Sequence, residues 1–154
     1  GPENPYGASK YMPESMCGVW SRLYDIDTVC LRYFNVYSPD QTASGPYATA
    51  VANWMQHIRD NKNPFITGDG EQRGMHYDVG TGDNISLNEM REIVQSRFPK
   101  VVFDYIPPRE GDVLCTKADI SKIGDAGWVP KHDILEGIAE CFALLKKELE
   151  DKNE

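Results

Sequence analysis

The sequence predicts an α/β fold in which strands alternate with helices. Short runs rich in β-branched and aromatic residues alternate with longer segments whose apolar residues recur at three- and four-residue steps. With 154 residues, 40% of them hydrophobic, the chain is long enough to bury the core of about one domain. Strands separated by helices favour at least some parallel pairing, because a parallel connection needs a crossover segment.

The first half of the chain contains two predicted helices and two predicted strands. Apolar residues recur at helical spacing over residues 5–23, which predicts the first helix. Residues 28–36, TVCLRYFNV, are β-branched and aromatic between turn signals, and they predict a buried strand. Two further elements follow a loop: a helix over 47–60 and a short strand, PFIT, over 64–67.

The second half continues the alternation. HYDV, at 76–79, is a candidate strand. Ser86 is followed three positions later by Glu89, and this capping-box pattern predicts that a helix over 87–97 begins there. Three more elements complete the chain: a strand in 100–106, a short helix over 119–125 and a final amphipathic helix over 133–148.

The charge balance excludes one class of partner. The chain has 24 acidic and 16 basic residues, a net charge of −8, and no cluster of Lys and Arg. Nucleic acid is therefore not an expected partner. No apolar run is long enough to span a bilayer and no secretory leader is present, so a cytoplasmic protein without membrane contact is expected.

Cysteines and histidines indicate no metal site. The cysteines are widely spaced with no CxxC pair, so they are expected to be reduced and buried as small apolar side chains. No two histidines share the spacing of metal ligands. The residues concerned are Cys17, Cys30, Cys115, Cys141, His57, His76 and His132.

Tyr6 and Lys10 form the first candidate for chemistry. They are four residues apart on a predicted helix, so their side chains lie on one face about one turn apart. An ammonium group beside a phenol favours the phenolate, which enables the phenol to act as a general base. By itself this spacing is weak support, because it also occurs by chance in many helices.

Five ordered motifs provide a stronger signal. They are NPYGASK (4–10), LRYFNVYSP (31–39), PFITGDGEQR (64–73), PPREGDV (107–113) and ADISKIGDAGWVPK (118–131). With these motifs, nearly the whole chain resembles the C-terminal half of the NAD-dependent nucleotide-sugar epimerases and dehydratases. This is the extended short-chain dehydrogenase/reductase family, and its UDP-glucose 4-epimerase-like members are the most similar.

The resemblance implies roles for six residues. Tyr6 matches the catalytic tyrosine that takes a proton from a sugar hydroxyl, and Lys10 matches the lysine that tunes it and contacts the nicotinamide ribose. Four positions match substrate-binding residues: Asn35 and Arg73 near the phosphates, Phe65 in the strand that lines the base pocket, and Arg109, whose guanidinium would hold the diphosphate.

Three of these residues also have plain structural explanations. Asn35 could end its strand by bonding its own backbone. Phe65 could serve the core, and Arg109 could be a solvated loop residue paired with a neighbouring carboxylate.

The sequence departs from the family pattern at two places. The family begins with a strand, a glycine-rich turn and a helix that holds the pyrophosphate of NAD, and this unit is absent. Neither GxG pair has the third glycine, because Arg73 and Ile85 stand where it is required. A stretch of about two dozen residues is also expected to be missing around residues 73–77, judged against a usual crossover of at least a dozen.

These matches and departures lead to the expected fold and function. The resemblance implies partial Rossmann-like sheet elements in residues 1–37, with the Tyr/Lys helix, and a small substrate-binding part in 38–154. Together they form one truncated domain, for which NAD is the family's cofactor but is not expected to bind this chain alone.

The expected function is that of a nucleotide-sugar-binding module. The alternative is an active NAD-dependent 4-epimerase, formed by oligomerisation or with a separate N-terminal partner chain. Either a homodimer or such a partner is expected to cover the apolar side chains of Met16, Val19 and Trp20 and the flank of 28–36.

Overall fold

Five helices and one two-stranded sheet form the regular structure of the described residues, which in the computed structural model are 5–33, 36–45, 48–71, 81–108 and 119–152. The chain divides into two compact units, Gly1–Arg32 and Tyr33–Glu154. We call them unit 1 and unit 2.

Unit 1 is dominated by helix α1, Pro5–Tyr24, which confirms the predicted helix over 5–23. The helix continues through Pro13, and none of its residues is buried. Large apolar side chains therefore remain exposed along it, Met12 by 64% and Leu23 by 68%. Met16, Val19 and Trp20, which were expected to need a cover, are also exposed. A soluble protein rarely leaves so much apolar surface open to water.

The predicted buried strand over 28–36 is wrong for the described part of that range. Residues 26–32 have no regular secondary structure, and Tyr33 forms only an isolated bridge. Val29 is 83% exposed. The physical reason is pairing: a strand needs the backbone of a neighbouring strand, and the single sheet of the described residues does not include this segment.

Unit 2 contains the remaining elements. In chain order they are α2 (Ala50–Arg59), β1 (Phe65–Thr67), α3 (Leu87–Arg97), β2 (Asp104–Ile106), α4 (Ser121–Asp125) and α5 (Ile134–Asp151). Each confirms a predicted element, with shorter strands than expected. The predicted capping box is present, because Ser86 Oγ accepts from the Glu89 amide and the Glu89 carboxylate accepts from the Ser86 amide. The candidate strand at 76–79 lies outside the described residues.

β1 and β2 are parallel neighbours, as the α/β prediction requires. Phe65 pairs with Asp104 and Thr67 with Ile106. α3 lies between the two strands in sequence and provides a crossover long enough for parallel pairing. The loops that follow β1 and β2 therefore leave the same edge of the sheet.

The core of unit 2 lies among α2, α3, α5 and the sheet. Trp54 and Phe103 pack edge to face with ring centroids 4.7 Å apart, and the indole Nε1 of Trp54 donates to the Phe65 carbonyl at 2.9 Å. From α5, Phe142 and Leu145 are almost completely buried in the same cluster. Cys141 is also buried, as expected, and burial raises the pKa of its thiol to about 11.

An ion-pair network links α2 to α5. Arg59 Nη2 donates to Glu148 Oε2 at 2.8 Å, and Arg59 Nε contacts the same carboxylate. Lys152 Nζ donates to Glu148 Oε1 at 2.7 Å. Hydrogen bonds from Arg59 and then Lys152 lower the pKa of Glu148 from 4.5 to about 2.

This network should make the stability of unit 2 sensitive to acid. Because the folded pKa of Glu148 is depressed, its contribution is present above about pH 4.5 and is lost as the pH falls towards about 2. We expect Glu148→Gln to cost up to about 1 kcal/mol near neutral pH and little at about pH 2, since the pair is partly solvated. Urea unfolding at several pH values measures this difference.

Glu150→Gln is the matched control on the same helix. Its carboxylate lies 3.9 Å from Lys146 and is 66% exposed, so this variant should retain the pH dependence of the parent chain. A parent and a Glu148→Gln variant that lose stability in parallel on acidification would contradict the expected role of Glu148.

Candidate functional site

Tyr6 and Lys10 lie on one face of α1 with their side chains in contact. Lys10 Nζ is 5.3 Å from the centroid of the Tyr6 ring, a cation–π arrangement that follows from the four-residue spacing. The Tyr6 side chain is 50% exposed. The pair is therefore partly exposed to solvent, and a phenol beside an ammonium group is an arrangement that can transfer a proton.

Contacts within unit 1 hold the segment after α1 against the helix. Arg32 donates two hydrogen bonds to the Glu14 carboxylate, at 2.6 and 2.7 Å, and they lower the pKa of Glu14. Thr28 Oγ1 donates to the Cys17 carbonyl at 3.4 Å. The sequence prediction contained neither contact, because residues 28–32 were predicted to pair with strands.

The GDGE loop that follows β1 is held by side chains from α3 and β2. Asn88 Nδ2 donates to the Asp69 carbonyl at 3.0 Å and to Glu71 Oε1 at 2.7 Å. Gly70 has φ +77°, and a Cβ there would collide with the Asn88 side chain, so both the turn and this close approach require glycine. The loop therefore leaves the sheet in a defined conformation.

A second layer of hydrogen bonds fixes Asn88. Tyr105 Oη donates to Asn88 Oδ1 at 2.7 Å, and Arg91 Nη1 donates to Tyr105 Oη at 2.8 Å. Sequence reasoning missed all three residues. A partial signal was available, since Asn88 and Arg91 are three residues apart on one helix face and Tyr105 lies on a strand parallel to β1.

The predicted substrate-binding residues are only partly described. Asn35, Arg73 and Arg109 lie outside the described residues. Phe65 is half-buried in β1, where its ring packs edge to face on His57 with centroids 5.5 Å apart. This contact fits the structural explanation for Phe65, while its binding role stays a prediction.

Tyr37, two residues after Asn35, is hydrogen-bonded to the start of α5. Its hydroxyl donates to the Ile134 carbonyl at 3.4 Å. Burial, with smaller effects from Cys141 and Asp133, raises the pKa of Tyr37 to about 12. Tyr37 is therefore a neutral anchor at physiological pH.

The N-termini of α2, α3 and α5 do not suit the pyrophosphate of NAD. Such a site needs a helix N-terminus with free amides. In α2, Thr49 caps the helix by accepting from the Ala52 amide, and in α3 Glu89 closes the capping box. In α5, the Asp133 carboxylate accepts from the amides of Leu135 and Glu136. Carboxylates at the N-termini of α3 and α5 would repel a pyrophosphate, so the N-termini of these helices do not fit this part of NAD.

A cleft of about 600 Å³ opens in unit 2. Its lining comes from α2, α5 and the loop before α2: Pro39, Asp40, Gln41, Thr42, Gln56, Arg59, Leu144, Leu145 and Glu148. Two of these residues, Arg59 and Glu148, pair with each other.

Within the described ranges, no group of three or more His, Cys, Asp or Glu side chains is arranged to hold a metal ion. None of the helices in the described part is both long and apolar enough to cross a bilayer.

The family of this chain follows from a comparison with known proteins. Residues 1–79, slightly more than half of the chain, match the NAD dependent epimerase/dehydratase family. The chain belongs to this family. The match includes the Tyr6–Lys10 helix and the GDGE loop.

One curated relative of this epimerase/dehydratase chain is a protein from Methanocaldococcus jannaschii that is provisionally named a UDP-glucose 4-epimerase. It is 33% identical over 168 aligned residues, which cover 94% of this chain and 54% of the relative. The alignment is longer than this chain, so the relative has residues without a counterpart here. The chain spans about half the length of the curated relatives that it matches.

Solved structures of epimerases have the same fold. UDP-glucose 4-epimerase from Thermotoga maritima, solved with UDP-glucose, is 28% identical, with a TM-score of 0.85 over 97% of this chain and 55% of that protein. UDP-glucose 4-epimerase from Thermus thermophilus, solved with NAD, is 26% identical, with a TM-score of 0.78 over 93% of this chain and 55% of that protein. The α/β class is thereby confirmed. The Rossmann-like sheet elements predicted in residues 1–37 do not appear in the described part of that range, because the sheet of the described residues consists of β1 and β2.

Proposed function

We propose that this chain is the C-terminal, nucleotide-sugar-binding half of an NAD-dependent epimerase and that it binds a UDP-sugar without catalysing epimerisation alone. The observation that supports this most directly is the coverage: 94% of the chain aligns with a UDP-glucose 4-epimerase relative of which it spans only 54%. The Thermotoga maritima structure with UDP-glucose supports the choice of ligand.

The polar groups of the chain suit a diphosphate nucleotide. The loop after β1 is held rigidly by Asn88, and it leads into the segment that contains Arg73. The segment after β2 contains Arg109 and leaves the same edge of the sheet. By resemblance, we assign Arg73 and Arg109 to the phosphates, because guanidinium forms paired hydrogen bonds with oxyanions. We assign Asn35 and Phe65 to the same substrate-binding site by resemblance.

Catalysis by this chain alone is disfavoured on chemical grounds. Epimerisation through a keto-sugar needs a hydride acceptor, which NAD supplies when it is bound. Tyr6 and Lys10 can transfer a proton but cannot accept a hydride. The capped N-termini of α2, α3 and α5 do not suit the pyrophosphate of NAD. The proposed role of Tyr6 and Lys10 is therefore realised only together with an NAD-binding half.

The proposed partner is a chain that carries the NAD-binding half. This partner would bind to the exposed apolar face of unit 1, defined by Met12, Met16, Trp20, Leu23 and Val29. A surface of this size favours burial against another apolar surface. The part of the relatives' length that this chain does not span could supply such a surface, because a Rossmann-type half could pair its sheet with residues 28–32.

An active epimerase formed by copies of this chain is the second candidate. It is favoured by the open geometry of the Tyr6–Lys10 pair, which keeps a proton-transfer group available to a ligand. It requires that the chain itself binds NAD.

Calorimetric titration with UDP, UDP-glucose and NAD in separate experiments tests the proposal. We expect UDP and UDP-glucose to bind and NAD not to bind. Arg109→Ala should weaken UDP binding by about 10- to 100-fold, as loss of a charge-assisted contact to phosphate usually does. Lys100→Ala removes an exposed cation from a turn of the same unit and should leave UDP affinity unchanged.

Each outcome of the titration decides between the candidates. Binding of NAD by the chain alone would overturn the proposal in favour of the active oligomer. Failure of both UDP and UDP-glucose to bind would overturn both candidates. An equal loss of affinity in both variants would show that Arg109 acts only through the general charge of the surface.

A further inference from the structure

Two cysteines of unit 1, Cys17 and Cys30, lie close to each other although they are not neighbours in the sequence. Thr28 Oγ1 bonds to the Cys17 carbonyl and Arg32 pairs with Glu14, so residues 28 and 32 both contact one face of α1. Glu14 and Cys17 are three residues apart on that face. Cys30 lies between the two contacts and is thereby brought against the helix at Cys17.

Thr28 and Arg32 thus place the Cys30 side chain beside Cys17, and interaction with the neighbouring Cys17 side chain raises the pKa of the Cys30 thiol. Both are free thiols in the structure, with Cys17 half-buried and Cys30 exposed. The expectation of buried cysteines is therefore wrong for Cys30. The cause is the same as for the missing strand: no neighbouring strand covers residues 28–32.

Unit 1 is also a segment that needs additional stabilisation. α1 buries none of its side chains, so little packing within the described part of unit 1 holds residues 26–32 to the helix. A covalent link between residues 17 and 30 would close a short loop and reduce the freedom of the unfolded segment.

We propose that Cys17 and Cys30 form a thiol–disulfide modification site, in which oxidised glutathione converts the two thiols into an intramolecular disulfide that fastens residues 26–32 to α1. One thiol, after losing its proton, attacks a sulfur of oxidised glutathione, forming a mixed disulfide and releasing one glutathione thiolate. The other thiol then loses its proton and attacks the protein sulfur of the mixed disulfide, which releases the second glutathione.

The step is balanced in atoms and electrons. Two protein S–H bonds are lost and one S–S bond forms, while one oxidised glutathione is reduced to two glutathione thiols that take up both protons. The reaction is reversible, so the ratio of oxidised to reduced glutathione sets the fraction of linked chains.

Peptide mapping of the oxidised chain tests this site. The full chain is equilibrated with oxidised glutathione, residual thiols are blocked with an alkylating agent, and the product is digested with trypsin without reduction. Cleavage after Lys10, Arg22 and Arg32 separates the two cysteines into peptides 11–22 and 23–32, each with one cysteine. We expect these peptides to be recovered as one linked species, and the intact chain to lose the mass of two hydrogen atoms.

Variants and a denatured control make the result specific. Cys17→Ser and Cys30→Ser should each abolish the linked species and yield a mixed disulfide with glutathione. Cys141→Ser, which removes a buried thiol of unit 2, should leave the linked species in place. Oxidation in concentrated guanidinium chloride should lower its yield, because the contact between the thiols depends on the fold.

Two outcomes would overturn the proposal. One is glutathionylation of both Cys17 and Cys30 without a linked species in the folded chain. The other is a linked species that pairs either residue with Cys115 or Cys141 instead. Neither outcome depends on whether the chain binds a nucleotide sugar, so the test is independent of the proposed function.

Discussion

Replacement of Tyr6 by Phe is expected to lower epimerase turnover by about 10²- to 10⁴-fold once the NAD-binding half is supplied, because the variant loses only the phenolic proton carrier. The protein for this test is a fusion of the NAD-binding half of the Thermotoga maritima UDP-glucose 4-epimerase to the start of this chain. Turnover is measured as the conversion of UDP-glucose to its 4-epimer. Phenylalanine retains the ring that contacts Lys10, so the helix face should be unchanged.

Tyr11→Phe is the matched control for this substitution. Tyr11 lies on the same helix and is 52% exposed, against 50% for Tyr6, but it does not share the Lys10 contact. It should leave turnover within about a factor of two, as surface substitutions generally have small effects. Equal losses in the two variants would contradict a specific role for Tyr6. A fusion without any activity before substitution would contradict the proposed function itself.

Leu145→Ala is expected to destabilise unit 2 by about 2–5 kcal/mol, a large part of the roughly 5–15 kcal/mol that stabilises a domain. Leu145 is 1% exposed and lies in the cluster with Phe142 and Ile138. Its removal leaves a cavity that the well-packed surroundings fill only partly. The free energy of unfolding, obtained from urea titration followed by circular dichroism, measures the loss.

The neighbouring residue provides a control with identical chemistry. Leu144 is 45% exposed, so Leu144→Ala removes the same atoms from the same helix without opening a cavity in the core. We expect a change within about 0.5 kcal/mol. Similar losses for the two leucines would mean that helix propensity, not burial, decides the stability of α5.

Elements defined by local signals were predicted well from the sequence. Ser86 and Glu89 form the predicted capping box, and α1, α2, α3 and α5 lie close to their predicted ranges. A cap needs only side chains within one turn of the helix, so a single sequence contains all the information. The four-residue spacing of Tyr6 and Lys10 is local for the same reason, and the structure places them in contact.

Local signals could not show whether the strand predicted over 28–36 would form. Val29 and Leu31 have the composition of a buried strand, yet they are exposed because no neighbouring strand of the described chain pairs with their backbone. Propensity reports how well a side chain fits a sheet surface, and it cannot tell whether the sheet is present. The exposed segment is the strongest structural reason to expect a partner for unit 1.

Composition, spacing and ordered motifs determined the family, the α/β class, the helix starts and the Tyr6–Lys10 pair, because each depends on neighbours within a few residues or on a match to known proteins. Tertiary structure alone decided the contacts between residues distant in sequence. Asn88 holds the loop after β1 with help from Tyr105, and Cys30 lies against Cys17 because Thr28 and Arg32 bond to α1. Such contacts arise only when the chain folds back on itself, and no periodicity in the sequence specifies which distant side chains then meet.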